Sequence, residues 1–144
     1  MLNSIKKYLA KAKEEISKDY TVRSPQSSSG QQGGGAQGWI GVDLDGTLAF
    51  DDPSLSISQV GDPVPEMLAR VKQMIDKGMR VKIFTARASD TEQLPIIRKW
   101  LADHGLPELE ITNVKDYNML RLYDDRAIQV EHNTGRLISK KSSF

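Results

Sequence analysis

The run Trp39-Ile40-Gly41-Val42-Asp43-Leu44-Asp45-Gly46-Thr47-Leu48 constrains this chain more than any other segment. Four uncharged residues lead into two aspartates separated by one leucine, the pattern of a buried strand that stops abruptly at polar groups. Side chains alternate along extended backbone, so Asp43 and Asp45 are expected on one side and Leu44 in the core. Gly46 permits a sharp turn and Thr47 offers a hydroxyl. Two carboxylates, a turn and a hydroxyl at a strand's end suit a site that holds a metal ion and an anion together, which points to phosphate chemistry.

The sequence after this strand alternates between two periods. Residues 49–62 read as a loop rich in Asp, Ser, Pro and Gly, with room for a small hairpin. Pro65 opens a helical pattern through Leu68, Val71 and Ile75 that Gly78 closes. Arg80 to Phe84 is a second strand, ending at Thr85. A second helix is expected from Thr91 to His104, with Leu94, Ile97 and Leu101 on its buried side, Pro95 in its first turn and Gly105 after its end. Strands follow at Leu109 to Val114 and Leu120 to Tyr123, the latter running into Asp124 and Asp125. Ala127 to Glu131 and Arg136 to Ser139 read as short strands around an Asn133-Thr134-Gly135 turn.

Strands alternating with helices of this length predict an α/β fold, a Rossmann-like three-layer sandwich around a mainly parallel sheet with right-handed crossovers. Ligands of such sheets sit beyond the carboxyl ends of the strands, and Asp43, Asp45, Thr85, Arg87, Asn113, Lys115, Asp124 and Asp125 all fall there.

The segment before the catalytic core divides in two. Residues 1–23 carry Leu2, Ile5, Leu9, Ala12 and Ile16 at helical spacing among lysines, a short amphipathic helix. Such a helix can dock to a protein partner, a second subunit or an anionic membrane surface, or fold back on the domain. Residues 24–37 are rich in Gly, Ser and Gln, without charge or apolar period, and read as a flexible linker. The remainder, 38–144, is long enough for one catalytic domain.

Composition narrows the chemistry further. The chain has no cysteine and two histidines, which excludes disulfides, a thiol nucleophile and thiolate metal sites, so a metal must be held by oxygen. A net charge of +1 gives no global attraction to nucleic acid or membrane. No apolar run approaches the roughly 20 residues that cross a bilayer, and no secretory signal opens the chain, so the cytoplasm is the expected compartment.

Four acids at one sheet edge repel one another unless a divalent cation such as Mg²⁺ joins them. With the charges so screened, one aspartate can attack phosphorus and a second can protonate the leaving alcohol and later activate water. Lys115 and Thr85 are candidates to contact the phosphoryl oxygens.

These residues also carry a resemblance. Asp43-Leu44-Asp45-Gly46-Thr47-Leu48, then Thr85 after Ile83-Phe84, then Lys115, then Asp124-Asp125 after Leu122-Tyr123, match in order and spacing the four motifs of the haloacid dehalogenase superfamily of phosphotransferases. The resemblance implies that Asp43 is a nucleophile forming an aspartyl-phosphate and Asp45 the general acid and base. It implies Mg²⁺ held by Asp43, the Asp45 carbonyl, Asp124 and Asp125, with Thr85 and Lys115 on the phosphoryl group. An aspartate at position 45 favours phosphate-ester hydrolysis, because relatives that cleave carbon–halogen or carbon–phosphorus bonds generally lack it. The chain departs from the usual pattern in one respect: eight residues separate Lys115 from Asp124, where a helix usually lies, so the lysine must approach by a compact loop.

The chain also resembles a small bacterial and phage subgroup of that superfamily, which shares Gly61-Asp62-Pro63-Val64-Pro65, Phe84-Thr85-Ala86-Arg87, Thr112-Asn113-Val114-Lys115-Asp116 and Asp124-Asp125-Arg126-Ala127. Neither interval that commonly holds a cap domain is long enough for one, so the resemblance implies a capless, open site. Gly46, Thr47, Ala86, Arg87 and Arg126 are the expected substrate contacts. The expected activity is Mg²⁺-dependent hydrolysis of a phosphate monoester. Thr85-Ala86-Arg87 and Asp124-Asp125-Arg126 are also similar to nucleic-acid 3′-phosphatase domains, which makes end processing an alternative. A third reading is a scaffold or binding protein recruited through its N-terminal helix.

Overall fold

The first strand, β1 (Trp39–Val42), is buried along its whole length. The computed structural model describes residues 37–138. The expected N-terminal helix and most of the linker lie outside the described residues, as does the end of the chain after residue 138.

After β1 come helix α1 (Pro65–Asp76), strand β2 (Arg80–Phe84), a 3₁₀ turn (Ala86–Ser89), helix α2 (Gln93–Asp103), and strands β3 (Glu110–Thr112) and β4 (Met119–Tyr123). Helix α1 starts at Pro65, whose missing N–H falls where helices leave donors unpaired. Its end is closed by a pair of bonds, Gly78 N–H to the Ile75 carbonyl at 2.9 Å and Met79 N–H to the Met74 carbonyl at 3.0 Å. Helix α2 ends in the same way, with Leu106 N–H on the Leu101 carbonyl at 2.9 Å. It starts at Gln93 rather than Thr91, because Thr85 to Asp90 is occupied by the 3₁₀ turn.

The four strands form an all-parallel sheet in the order β3-β2-β1-β4. One cluster joins Ile40 and Val42 of β1, Val81 and Ile83 of β2, Val71 and Met74 of α1, and Ile97, Trp100 and Leu101 of α2. Two successive crossovers in the same direction, β1 to β2 and β2 to β3, put both helices on that one face, as crossovers of one hand require. The opposite face carries Trp39, covered by the Lys82 ammonium 4.4 Å from its ring and hydrogen-bonded through Nε1 to Asp116 Oδ1 at 2.8 Å.

Among the described residues both helices lie against one face of the sheet, and residues 113–118 connect β3 to β4 as a loop with no crossover helix. One expectation is corrected there. The strands expected at 127–131 and 136–139 reduce to a single antiparallel bridge, Val130 to Leu137. The turn between them is as expected, with left-handed backbone at Asn133 and Gly135. Nothing extends the pair because β4 pairs only with β1, and an isolated two-stranded ribbon is marginal in water.

Candidate active site

The sheet order reverses at β1: the chain moves from β1 to β2 and β3 on one side, then returns to set β4 on the other. Strand ends diverge at such a switch point and leave a crevice there. The Asp43 N–H donates to the Tyr123 carbonyl at 2.9 Å, which fixes the ends of β1 and β4 side by side. Asp43, leaving β1, and Asp124 and Asp125, leaving β4, therefore meet.

Regular pairing ends at Val42, and the next residues coil tightly, with the N–H groups of Leu48 and Ala49 both on the Leu44 carbonyl. Leu44 is fully buried, while Asp43 and Asp45 are half-buried and turned away from it, as alternation requires. Gly46 makes the turn with φ of 87°, and a Cβ at that position would stand 2.7 Å from Asp125 Oδ2. Only glycine serves both demands.

One carboxylate oxygen from each of Asp43, Asp124 and Asp125 lies within 4.8 Å of the others. Burial, and next the negative charge of Asp124, push the Asp43 carboxyl up from 3.8 to about 6. Thr47 is braced in this cluster. Its Oγ1 lies 3.3 Å from Asp43 Oδ2 and 3.2 Å from Asp125 Oδ1, and accepts the Asp125 N–H at 3.0 Å. Three converging carboxylates make an all-oxygen set that could hold a hard divalent cation.

Asp45 is placed differently. Arg87 Nε donates to its Oδ2 at 2.7 Å and Nη2 to its Oδ1 at 2.8 Å, a two-pronged ion pair. Thr85, buried at the end of β2, accepts the Arg87 N–H at 3.2 Å through Oγ1 and so starts the 3₁₀ turn that carries the arginine. Asp43, Asp45, Thr85, Arg87, Asp124 and Arg126 share the wall of one open cavity of about 760 Å³. Ala86 lines it too, and Ile57 and Phe84 supply apolar wall.

Lys115 stands elsewhere. It borders a second cavity of about 760 Å³ along the outer side of β4, with Leu120, Leu122, Val130 and His132. Asp124 belongs to both cavities.

Three participants had no signal in the sequence. Gln93, nearly fully buried, accepts from Arg87 Nη1 at 2.9 Å. The carbonyls of Ile57 and Gln59 accept from Arg87 at 2.8 and 2.9 Å, and backbone acceptors are anonymous in a sequence. Asn113 donates to Ser89 Oγ at 2.7 Å and braces the cavity rim. Comparison of the chain with protein-family models, with curated proteins and with solved structures gave no match.

Proposed function

We propose that this chain is a Mg²⁺-dependent phosphatase of the haloacid dehalogenase type, hydrolysing a phosphate monoester through an aspartyl-phosphate on Asp43. The observation that carries the reading is the meeting of Asp43, Asp124 and Asp125 at the switch point of a parallel sheet. The four motifs in order along the sequence support it independently.

In this reading Asp43, Asp124, Asp125 and the Asp45 carbonyl hold the ion. When bound, the ion supplies positive charge that offsets the repulsion between the acids and a dianionic phosphate. An Asp43 carboxylate oxygen attacks phosphorus, the bond to the ester oxygen breaks, and Asp45, protonated on an oxygen that has let go of Arg87, gives its proton to the departing alkoxide. The Asp45 carboxylate then takes a proton from a water that attacks the same phosphorus. Phosphate leaves, Asp43 is again a carboxylate, and Asp45 is again protonated. Thr85 and Lys115 stabilise the phosphoryl oxygens, with Gly46, Thr47 and Ala86 beside them.

The 3′-phosphatase reading draws support from one observation, the openness of the site. No folded unit is inserted between Ala49 and Pro65, so a polymer end has free approach. Recruitment through the N-terminal helix, a cytoplasmic location and a third layer in the fold belong to this proposal as well. Among the described residues no helix is long and apolar enough to cross a membrane.

The test is hydrolysis of an aryl phosphate with Mg²⁺ and with a chelator, for the unaltered protein and Asp43→Asn. Turnover that needs the metal and vanishes in the variant supports the mechanism, and turnover retained by Asp43→Asn overturns it. A panel of nucleotides, sugar phosphates and 3′-phosphorylated oligonucleotides then separates the substrate classes.

A further inference from the structure

Two arginines line the cavity, and both were expected to contact substrate. Their surroundings differ completely. A guanidinium has five N–H donors in a rigid plane. Arg87 makes five hydrogen bonds with them: Nε to Asp45 Oδ2, Nη2 to Asp45 Oδ1, Nη2 to the Gln59 carbonyl, Nη1 to the Ile57 carbonyl and Nη1 to Gln93 Oε1, at 2.7 to 2.9 Å. Its side chain is only 16% exposed. No donor remains for a phosphate unless one of these bonds breaks. Arg126 has its backbone N–H on Asp124 Oδ1 at 2.8 Å, while its guanidinium has no partner among the described residues and the residue is exposed.

We infer that the two arginines divide the work: Arg87 is a positioning residue that ties the 57–59 segment to Asp45, and Arg126 is the arginine that meets the anionic substrate. The inference deepens the phosphatase reading and rests on it for its kinetic part, whereas its structural part stands on the hydrogen bonds alone.

The geometry explains why a capless site needs such a strut. Residues 51–59 have little packing of their own: Ile57 is 78% exposed, and the segment is held by local bonds such as Leu55 N–H to the Asp52 carbonyl and Gln59 N–H to the Ser56 carbonyl. Arg87 reaches it from the other side of the cavity. It binds two carbonyls two residues apart, so the segment is fixed in orientation as well as position. The same plane meets both oxygens of Asp45, which fixes the rotation of that carboxyl. Gln93, at the start of α2, completes the set and is itself buried, so the strut is anchored in the helix layer. Ile57, thereby held at the wall of the cavity that Phe84 also lines, bounds the space available to a leaving group. Lysine cannot reproduce this, having one nitrogen and no plane.

The test compares the full-length protein with Arg87→Lys, Gln93→Met and Arg126→Ala, after thermal melts confirm that each folds. Hydrogen exchange on the free protein needs no turnover. Arg87→Lys is expected to speed exchange at the Leu55 and Gln59 amides by about tenfold or more, Gln93→Met by less, and Arg126→Ala not at all. Unchanged protection in Arg87→Lys overturns the strut. In aryl-phosphate kinetics Arg87→Lys is expected to lower kcat with KM within about threefold, and Arg126→Ala to raise KM by about tenfold. A rise in KM and in the inhibition constant of inorganic phosphate for Arg87→Lys, with loop protection intact, would make Arg87 the anion contact and overturn the inference. No turnover from any of the proteins would sink the phosphatase reading and the Arg126 assignment with it, and the exchange result would still decide the strut.

Discussion

Thr47 and Asp125 are bonded twice across 78 residues of sequence: the Thr47 hydroxyl lies 3.2 Å from Asp125 Oδ1 and accepts the Asp125 N–H at 3.0 Å. The loop after β1 and the loop after β4 are thus stitched together next to Asp43. Acids that repel one another at the end of a sheet need such a brace, because neither strand alone fixes the distance between them. The hydroxyl hydrogen can serve only one of the two carboxylates within its reach at a time.

Thr47→Val keeps the shape and removes the hydroxyl. It is expected to cost about 1 kcal/mol of stability, the net value of one hydrogen bond, and to weaken Mg²⁺ binding, since the carboxylates lose their common brace. Thr47→Ser should recover most of both. Thermal melts with and without Mg²⁺ read the two effects separately, and a Val variant that binds the metal as well as the unaltered protein would remove Thr47 from the site.

The raised pKa of Asp43 predicts an unusual pH dependence. An acid whose pKa is higher in the folded state than in the unfolded state binds its proton more tightly when folded, so folding is favoured while that proton is present. With the value moving from 3.8 to about 6, the metal-free protein should lose stability from this group as pH rises through that window. On the phosphatase proposal, added Mg²⁺ should reverse the trend above about pH 6, where the ionised carboxylate would be a ligand. Asp43→Asn should flatten the slope and raise the melting temperature of the metal-free protein at pH 7. Melts from pH 4 to 8 with Mg²⁺ or chelator check all three outcomes, and a metal-free pH slope through the window that is the same in the unaltered protein and in Asp43→Asn would contradict the burial and repulsion assigned to Asp43.

What the sequence made legible follows from range. Strand-end acids are visible because alternation and burial are local properties: Leu44 between Asp43 and Asp45, or Leu122-Tyr123 before Asp124, announces its face without reference to the rest of the chain. The two helices were legible for the same reason, being marked by Pro65, Gly78 and Gly105. Arg87 was visible as a cavity residue but not as a strut, because its partners Asp45, Ile57 and Gln59 lie 28 to 42 residues away and two of them offer only backbone oxygen. Lys115 was read onto the phosphate from motif order, and the short loop 113–118 sets it on the flank of β4. Motif order carries no distance. The one-sided helix layer was likewise hidden, since it depends on which connection lacks a helix.

Gly61 is a position where a single methyl group is expected to be expensive. A Cβ there would stand 2.1 Å from the Phe50 carbonyl oxygen, and backbone cannot yield as a flexible side chain can. The same glycine offers its carbonyl to Trp100 Nε1 at 2.8 Å, inside the core. Gly61→Ala should therefore destabilise by about 1–3 kcal/mol through overpacking, and Trp100→Phe by a similar amount through the carbonyl left without its donor. The two residues are in contact, so the double variant should cost less than the sum. Denaturant melts of the three variants test this, and a Gly61→Ala protein as stable as the original would show that the loop arms at Phe50 and Gly61 separate at no cost.

Lys115 offers the sharpest separation of activity from stability. It is exposed, and its side chain makes no hydrogen bond or ion pair among the described residues, so Lys115→Met should change stability by no more than about 0.5 kcal/mol. If the lysine reaches the phosphoryl group, the same variant should lose about a hundredfold in kcat/KM, the scale on which removal of one charge-stabilising group acts. Lys115 and Asp124 border the same cavity, and Asp124 also borders the one that holds Asp43. A large loss with an unchanged melting curve would mean that the 113–118 loop brings the ammonium past Asp124 when substrate is bound. Full activity would leave Thr85 and Arg126 as the phosphoryl contacts on this chain and remove the lysine from the mechanism.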